Sequence, residues 1–443
     1  MEIPHLEQLY PEQLYNNNDV SNCDIIYGRR IDLTHLKVYT IDPPNCVDAD
    51  DGFSIKFTDI PEIYKLYVHI ADPTAYIKKY DHHYNNAIHN CVTQYPSMCK
   101  PKHMLPNSIL EKSSLMNGRK PALTIEYSFN YERCIDKCLI FSYINCDPRY
   151  RHTYESAADI MDNNWDILTT FKSSILLSNE RNKKFNSLSS MKNAIVDYDE
   201  LKEEFVFKTY SEKVGKLKNM IAELAIASNS YIAQYIQKFN DDYTFSRNCI
   251  DTGATESDNP NDTLASIVKN GIRAKYDAND ISHDIVGSKL YTHFTSPIRR
   301  VSDIIVHLIL KDIFLLQPSF SKQELTVLST HINQKSKKIQ NIQRLDAKYR
   351  LFQAIQDMMK SNSVIIKFRF MSYSGLFINL IIEQVNEFCV YGSYCIRCKP
   401  DKYKGSSFLE NNVYSFKCTE CNLPTTKFDT GVLPDLEKIF IKD

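Results

Sequence analysis

The chain has 443 residues, of which 43% are hydrophobic and 24% are charged, and its formal net charge is −1. This composition is ordinary for a globular protein and argues against the intrinsically disordered and collagen-like classes. A chain of this length is expected to form roughly two or three domains. Because the net charge is close to zero, binding of a polyanion would have to come from local basic patches.

The N-terminal segment and the cysteines indicate an intracellular, reducing compartment. The first fifteen residues, MEIPHLEQLYPEQLY, are polar and lack the apolar core of a secretory signal. No apolar run approaches the roughly 18–20 residues that cross a bilayer, so we expect no membrane association. Thirteen cysteines, an odd number without an export signal, favour thiols over a disulfide framework. We therefore expect a cytoplasmic protein.

The first third of the chain is predicted to be rich in strands. Residues 1–35 are expected to form a short leader with little core material. From about 36 to 155 the alternation has a period near two and predicts strands in KLYVHIADPTAYI, PALTIEYSFN and CLIFSYIN.

Helical spacing dominates the next part of the chain, before strands return. Apolar residues recur every three or four positions at 213–238, 297–316 and 322–360, which predicts three long helices. A polar connection at 240–290 separates the first two, and strand-like alternation resumes after 362. The expected fold class is mixed α/β (α+β), with a large domain at 36–360 and a small β-rich domain at 361–443.

The stretch TIDPPNCVDADDGFSI crowds four aspartates, Asp42, Asp48, Asp50 and Asp51, into ten positions. Carboxylates this close repel one another unless a cation lies between them. Short oxygen ligands suit Mg²⁺ or Mn²⁺ better than zinc, and the following Gly52 would permit a kink that gathers them. The glycine falls one position too early for an EF-hand loop counted from Asp48. A solvated acidic turn is the alternative.

A second polar cluster lies in YTHFTSPIRRVSDIIVHLIL. Ser296 is a natural N-cap and Pro297 fits the first position of the predicted helix. Arg299 and Arg300 would then occupy the first turn, where the helix dipole disfavours cations. Together with the hydroxyl groups of Thr295 and Ser296 and free N–H groups, they describe a phosphate receptor. Surface arginines paired with acidic neighbours are the alternative. Combined with a carboxylate cage, this site suggests phosphoryl transfer.

Four stretches resemble, in this order, the landmarks of the RNB domain: TIDPPNCVDADDGFSI, VHIADPTAYI, MLPNSILEKSSLMNGRKPALTIEYSF and YTHFTSPIRRVSDIIVH. This is the catalytic domain of the ribonuclease II/R family and of the exosome-type exoribonucleases, and the resemblance spans residues 36–360. It implies the RNB catalytic fold and a Mg²⁺-dependent (or Mn²⁺-dependent), hydrolytic 3′-to-5′ exoribonuclease. Such an enzyme degrades single-stranded RNA to nucleoside 5′-monophosphates by a two-metal mechanism.

Carried over position by position, the four aspartates match the metal ligands of the family. The resemblance assigns catalytic roles to Asp50, Asp51 and Arg299, with the arginine stabilising the transition state. Tyr154 is similar to the tyrosine that stacks on the terminal base, and Tyr95 is a weaker candidate for a second clamp. The full set of predicted RNA contacts is Tyr95, Tyr154, His293, Thr295, Ser296, Arg300 and Arg344.

The chain also departs from the pattern of the family. Val301 and Leu308 replace familiar residues after the arginines, so local packing or RNA contacts would differ. The leader is too short for the cold-shock domains that normally precede the catalytic domain, so the chain is predicted to be a compact member without them. A protein partner would then supply the missing RNA clamps.

Two CxxC pairs lie near the C-terminus, and nineteen residues separate them. This spacing is typical of a zinc ribbon, whereas buried thiols or disulfides are the alternatives. Because family members usually end in an S1 barrel, residues 361–443 are predicted to form an S1/OB-like or zinc-ribbon-like domain. The predicted ligands of a structural Zn²⁺ are Cys395, Cys398, Cys418 and Cys421.

Two other function classes stay open at the level of sequence. The chain could be an RNB-fold RNA-binding or regulatory protein with weak or no turnover. It could also be an endonuclease that uses the same metals. The complete aspartate set together with Arg299 favours the exoribonuclease.

Overall fold

The computed structural model describes twelve segments of the chain, and all structural statements refer to these segments. They are residues 10–15, 20–97, 99–181, 194–199, 201–239, 244–279, 281–317, 320–374, 377–390, 395–398, 408–420 and 435–438. Helices and sheets are mixed along the chain, which confirms the predicted α+β class.

Along the described part of the chain, most helices follow the strands of the first sheet and precede those of the C-terminal sheet. They are α1 His82–Asn90, α2 Asn107–Ser113, α3 Tyr154–Ile160, α4 Trp165–Asn179, α5 Glu212–Phe239, α6 Pro260–Lys269, α7 Val301–Leu315 and α8 Lys322–Met359. The long helices α5 and α8 lie within two residues of their predicted limits. No helix within the described ranges is long and apolar enough to span a bilayer.

The strands form two main sheets and three strand pairs. They are β1 Ile31–Asp32, β2 Thr40–Asp42, β3 Asp51–Phe57, β4 Tyr64–Ala71, β5 Gly118–Phe129, β6 Cys134–Cys146, β7 Arg151–Thr153, β8 Ile195–Asp199, β9 Glu204–Lys208, β10 Ser246–Asn248, β11 Lys275–Asp277, β12 Val364–Ser374, β13 Phe377–Val385, β14 Phe388–Cys389, β15 Cys395–Cys398, β16 Val413–Glu420 and β17 Asp435–Lys438. The three strand pairs are β2–β7, β8–β9 and β10–β11.

The first sheet has the order β1-β6-β5-β4-β3 and is antiparallel except for the parallel edge strand β1. Strand β4 is buried almost throughout, and helix α4 packs against β3, β6 and α5. Strand β2 pairs in parallel with β7, which aligns Asp42 with Thr153. The loop from β2 to β3 therefore ends at the edge of the sheet. Asp48 and Asp50 lie in this loop, and Asp42 and Asp51 are the strand residues on either side of it.

Helix α7 runs through the interior, and its first eleven residues, 301–311, are buried. A helix that is buried on all sides must provide partners for every polar group it carries. Lys311, only 1% exposed, binds Asp24 at 3.2 Å and Asp72 at 3.0 Å. Arg30 contacts the same two carboxylates. These four side chains, two acids and two bases, form a buried charge cluster in which the formal charges balance.

The segment before residue 36 was predicted to carry little core material, and the structure corrects this prediction. Ile26 and Leu33 are 1% and 7% exposed and belong to the main hydrophobic core. The polar composition of the segment is misleading because its charged residues Asp24 and Arg30 are buried by partners that lie far away in sequence.

A second hydrophobic core lies between the C-terminal sheet and the end of α8. The sheet has the order β14-β13-β12-β16-β17, with β15 paired to β13. The hairpin β8–β9 contributes Val196, Phe205 and Phe207 to this core, although it belongs by sequence to the predicted large domain. The second core therefore includes residues from before the predicted domain boundary at residue 361.

The predicted zinc cysteines fall mainly outside the described side chains. Cys421 lies outside the described residues, and only the backbone of Cys395 and Cys398 is described, as the two ends of β15. Cys418 is buried in β16 opposite Val364. Zinc binding stays a prediction.

A buried histidine in the first sheet is predicted to make the stability of the fold depend on pH. The ring of His69 lies between the hydroxyl groups of Ser54 and Thr124, at 2.9 and 2.8 Å. Burial lowers the pKa of His69 to about 3, so the ring stays neutral in the fold while the unfolded chain takes up a proton near its ordinary pKa. The free energy of unfolding should therefore fall by about 1.4 kcal/mol for each unit that the pH drops from roughly 6.5 to 3, on account of this residue.

Denaturant titrations at a series of pH values would measure this slope. His69→Gln should be less stable at pH 7 but should have a flatter dependence below pH 6.5. An unchanged slope in the variant would contradict the assignment.

Candidate active site

A cleft of about 1380 Å³ lies above the edge of the first sheet. Its walls come from the β2–β3 loop, from the segment between α1 and β5, from the start of α3, from α5 and from the segment that precedes α7. The residues of the site that border it are Asp42, Cys46, Asp48, Asp50, Asp51, Tyr95, Lys100, His103, Ser114, Tyr154, Ile221 and Arg299. All four predicted aspartates and Arg299 thus share a cavity.

Asp50 joins the two polar clusters of the sequence directly. Its Oδ1 accepts a hydrogen bond from the backbone N–H of Ile298 at 2.8 Å, and its Oδ2 accepts one from Nε of Arg299 at 2.9 Å. Burial raises the pKa of Asp50 to about 8, although the guanidinium of Arg299 acts in the opposite direction. The pair is 249 positions apart in sequence, so the fold itself brings the two clusters together.

Asp48 is held from the other side of the cleft. Its Oδ2 accepts a hydrogen bond from the Tyr95 hydroxyl at 2.9 Å and lies 3.5 Å from Nδ1 of His103. Burial alone would raise the pKa of Asp48, but the nearby His103 ring and the hydrogen bond from Tyr95 lower it overall. This carboxylate is therefore ionised and fixed in position.

Asp42 and Asp51 have the features expected of cation ligands. One buried oxygen of Asp42, Oδ2, has no hydrogen-bond partner among the described residues. Burial, with a contribution from the charge of Asp51, raises the pKa of Asp42 to about 7. Burial also raises the pKa of Asp51 to about 6.

A divalent cation would stabilise the ionised form of these buried carboxylates, so the donor set fits Mg²⁺ or Mn²⁺. The described residues hold no group of three or more His, Cys, Asp or Glu side chains already at metal-binding distance. Two of the four aspartates are instead engaged by the side chains described above.

Gly52 is required for a reason other than the predicted kink. It lies within regular β3, opposite His69, and its φ is not positive. A Cβ at this position would approach the backbone oxygen of Tyr39 to 2.9 Å and Cγ1 of Val38 to 3.1 Å. The glycine therefore permits close contact between β3 and the chain that leads into β2.

Substitution of this glycine should affect both the fold and the site. Gly52→Ala is expected to destabilise the protein by about 1–3 kcal/mol, because backbone atoms rather than a flexible side chain must move. The same shift would displace the neighbouring Asp51 and lower activity. Thermal unfolding and activity assays would measure the two effects, with Gly215→Ala as the control because nothing lies within 4 Å of its Cβ position. A stable, fully active Gly52→Ala would contradict the prediction.

The helix that follows the arginine motif begins later than predicted. Helix α7 starts at Val301 with Arg300 as its N-cap, so Ser296 does not cap it and the arginines do not lie in its first turn. The Ser296 hydroxyl accepts a hydrogen bond from Nη2 of Arg299 at 2.8 Å instead. The N–H of Ile298, which was expected to be free for a phosphate, is bound to Asp50. A side-chain contact within the segment and a tertiary contact from Asp50 thus take the place of the predicted cap.

The two arginines of the motif have different environments. The side chain of Arg299 is 45% exposed and borders the cleft, so it can reach a ligand while it contacts Asp50. Arg300 forms a two-pronged pair with Asp303, at 2.9 Å from Nε and 2.7 Å from Nη2. The Asp303 carboxylate also accepts the backbone N–H of Ser296 at 2.8 Å. Arg300 therefore stabilises the segment that presents Arg299, and its predicted RNA contact stays a prediction.

The predicted RNA contacts divide into those at the cleft and those away from it. Tyr95 and Tyr154 both border the cleft, and Nζ of Lys218 lies 5.5 Å from the centre of the Tyr154 ring. His293 does not border it; its Nδ1 lies 2.6 Å from the Tyr276 hydroxyl. Ser296, Thr295 and Arg344 also lie outside the main cleft. Thr295 borders a small void beside Asp51, and Arg344 is exposed on α8.

Sequence reasoning missed two groups that shape the site. His103 contacts Asp48, and no periodicity or spacing marked it. Residues 10–15 form an N-terminal strap across the segment that carries Tyr95 and His103. In this strap, Nε2 of Gln13 donates to the Val92 and Lys102 carbonyl groups at 3.0 and 3.2 Å.

Comparisons with known proteins agree with this geometry. The sequence profile of the RNB domain matches residues 30–270 and 253–315. Ribonuclease R of Mycoplasma pneumoniae is 24% identical over 356 residues, which cover 69% of this chain and 48% of that protein. The chain spans about half the length of the curated relatives it matches.

Two solved structures show the same fold. Mycoplasma genitalium RNase R, in complex with ribose-methylated single-stranded RNA, has a TM-score of 0.71 at 20% identity and covers 90% of this chain and 71% of its own. Yeast Ssd1, described as a pseudonuclease, has a TM-score of 0.66 at 17% identity. The match covers 85% of this chain and 51% of the Ssd1 chain. The profile match and the carboxylate–arginine cleft lead to one conclusion: the chain belongs to the RNB domain family.

Proposed function

We propose that this protein is a Mg²⁺-dependent, hydrolytic 3′-to-5′ exoribonuclease that degrades single-stranded RNA to nucleoside 5′-monophosphates. The contact between Asp50 and Arg299 carries the proposal. It brings a half-exposed guanidinium to the same cleft as four carboxylates, and one of these, Asp42, has a buried oxygen without a hydrogen-bond partner. This combination of groups suits the cleavage of a phosphodiester.

Each side chain has a separate role in the proposed reaction. Arg299 would bind the scissile phosphate and stabilise the charge that develops on it, while Asp50 and Ser296 hold the guanidinium in place. Asp42, Asp48, Asp50 and Asp51 would hold the divalent cations. Bound cations of this kind activate water and stabilise the leaving oxygen. Tyr95 and His103 would keep Asp48 in position for this purpose.

The shape of the cleft supports a polymeric substrate. Its volume of about 1380 Å³ exceeds the roughly 300–1000 Å³ of typical small-molecule pockets. Tyr154 would stack on a base, a contact that tolerates any sequence and contributes roughly 1–3 kcal/mol per base. Stacking of this kind requires unpaired nucleotides, which favours single-stranded RNA. A protein partner that adds RNA clamps stays part of the proposal.

A second candidate is an RNB-fold RNA-binding protein with little or no turnover. The pseudonuclease Ssd1 shares the fold, and the described part of this chain holds no preformed metal-binding group. The persistence of all four aspartates and Arg299 in one cleft favours the active enzyme.

The two candidates can be separated with labelled RNA. Purified protein would be incubated with a 5′-labelled or a 3′-labelled oligonucleotide, in Mg²⁺ or in EDTA. The exonuclease should produce a ladder of shortening products from the 5′ label and immediate release of a labelled mononucleotide from the 3′ label. EDTA should stop both reactions.

Three other outcomes would contradict the proposal. Binding without cleavage in Mg²⁺ and Mn²⁺ would indicate the RNA-binding protein, and cleavage of a circular RNA would indicate an endonuclease. Cleavage that persists in EDTA would contradict the metal mechanism.

A further inference from the structure

Ser114 is a buried serine at the wall of the cleft whose hydroxyl has no partner. It directly follows α2, is 2% exposed, and its Oγ makes no hydrogen bond among the described residues. The residue borders the cleft. A buried hydroxyl without a partner is unfavourable, so native structures that keep one usually provide the partner from elsewhere.

The backbone places Ser114 beside the aspartate loop. Its own N–H donates to the carbonyl of Leu110 at 2.8 Å, which fixes the end of α2. The next N–H, of Leu115, donates to the carbonyl of Ala49 at 3.0 Å. Ala49 lies between Asp48 and Asp50, so the serine is adjacent to the residues that would hold the cations.

The groups around Ser114 suit a neutral ligand atom rather than a phosphate. Asn107, Glu111 and Asn117 border the cleft from the same part of the chain, and Glu111 would repel an anion. Lys100 also borders the cleft from this part of the chain, but Arg299, the cation that contacts Asp50, comes from a different wall. In a nucleotide the ribose lies between the phosphate and the base, and its hydroxyl groups both donate and accept hydrogen bonds.

We propose that the Ser114 hydroxyl contacts a ribose hydroxyl of the terminal nucleotide held in the cleft. The assignment rests on the proposed exoribonuclease function and adds a residue that distinguishes RNA from its deoxy analogues. A site that hydrogen-bonds a substrate hydroxyl discriminates against substrates that lack it. Because a serine hydroxyl turns about a single bond, it can reach the ligand without any movement of the backbone.

Three oligoribonucleotides that differ only in the last ribose would test the assignment. The terminal nucleotide would be unmodified, 2′-deoxy or 3′-deoxy, and single-turnover rates of its release would be measured. The wild type should prefer the unmodified end. In Ser114→Ala the preference over at least one of the two deoxy ends should fall by roughly two- to ten-fold, the value of one neutral hydrogen bond.

Ser113→Ala is a matched control. Ser113 is also fully buried and its hydroxyl also lacks a partner, but it does not border the cleft. It should keep the wild-type preference. Neither substitution removes an internal hydrogen bond, so both variants should unfold at or above the wild-type temperature.

The outcomes separate the assignment from the function on which it rests. A wild type that releases no nucleotide from any substrate would contradict the exoribonuclease and the assignment together. An active wild type with equal rates on all three substrates would overturn the assignment alone. An unchanged preference in Ser114→Ala would do the same, as would an equal loss in Ser113→Ala.

Discussion

Asp50→Asn is expected to lower the rate of RNA hydrolysis by at least about 1000-fold, which corresponds to about 4 kcal/mol of transition-state stabilisation. The substitution keeps the shape of the side chain but removes the charge that would hold a cation. An asparagine oxygen can accept a hydrogen bond from either the Ile298 N–H or Nε of Arg299, but not from both. RNA affinity should change little, because the stacking and phosphate contacts remain.

The rate would be measured with labelled RNA in Mg²⁺, and affinity would be measured separately in EDTA. Asp59→Asn is a suitable control, because Asp59 is exposed in the hairpin at the far end of β3. It should behave as the wild type. Near-wild-type turnover in Asp50→Asn would contradict the role of this carboxylate, and loss of RNA binding would indicate a wider disruption of the cleft.

Arg299→Met is expected to reduce turnover by roughly 100- to 1000-fold, the usual effect of removing one preorganised donor from a developing charge. Arg299→Lys should recover only part of this loss. Lysine keeps the charge, but it cannot donate simultaneously to Asp50, Ser296 and a phosphate from a planar fork. The ordering of arginine over lysine over methionine is the specific expectation.

Turnover numbers for the three forms at saturating RNA would test this ordering. Arg149→Met provides the control, since the Arg149 side chain is 79% exposed, pairs with Asp147 and does not border the cleft. Equal rates for the lysine and methionine variants would show that charge at this position contributes nothing. A fully active methionine variant would remove the arginine from the mechanism.

The mixed fold and the long helices could be predicted from the sequence because each depends on local periodicity. Helix α5 follows its apolar stripe closely, with Leu217, Met220 and Leu224 all buried. The start of α7 could not be predicted in this way. Ser296 and Pro297 satisfy every local rule for a helix start, but Arg299 takes the serine hydroxyl and Asp50 takes the N–H of Ile298. The arginine acts within its own segment, three residues along the chain, whereas Asp50 acts through a tertiary contact, and the local rules for a helix start include neither.

The site was predicted to a similar, partial extent. The aspartates and Arg299 were marked by their clustered charges, the family resemblance assigned their roles, and the structure places them in one cleft. The contact of His103 with Asp48 was missed because it joins two loops without any regular spacing. Arg344 is exposed on α8 and does not border the cleft, so its predicted RNA contact stays a prediction.

The buried charge cluster of Asp24, Arg30, Asp72 and Lys311 has a practical consequence for dividing this protein into parts. A fragment that begins at residue 36 would retain Asp72, which follows β4, and Lys311 of α7. It would lose Asp24 and Arg30, which pair with them. The space left by Arg30 would admit water behind the first sheet. Residues before position 36 are therefore needed to keep the interior of the protein dry.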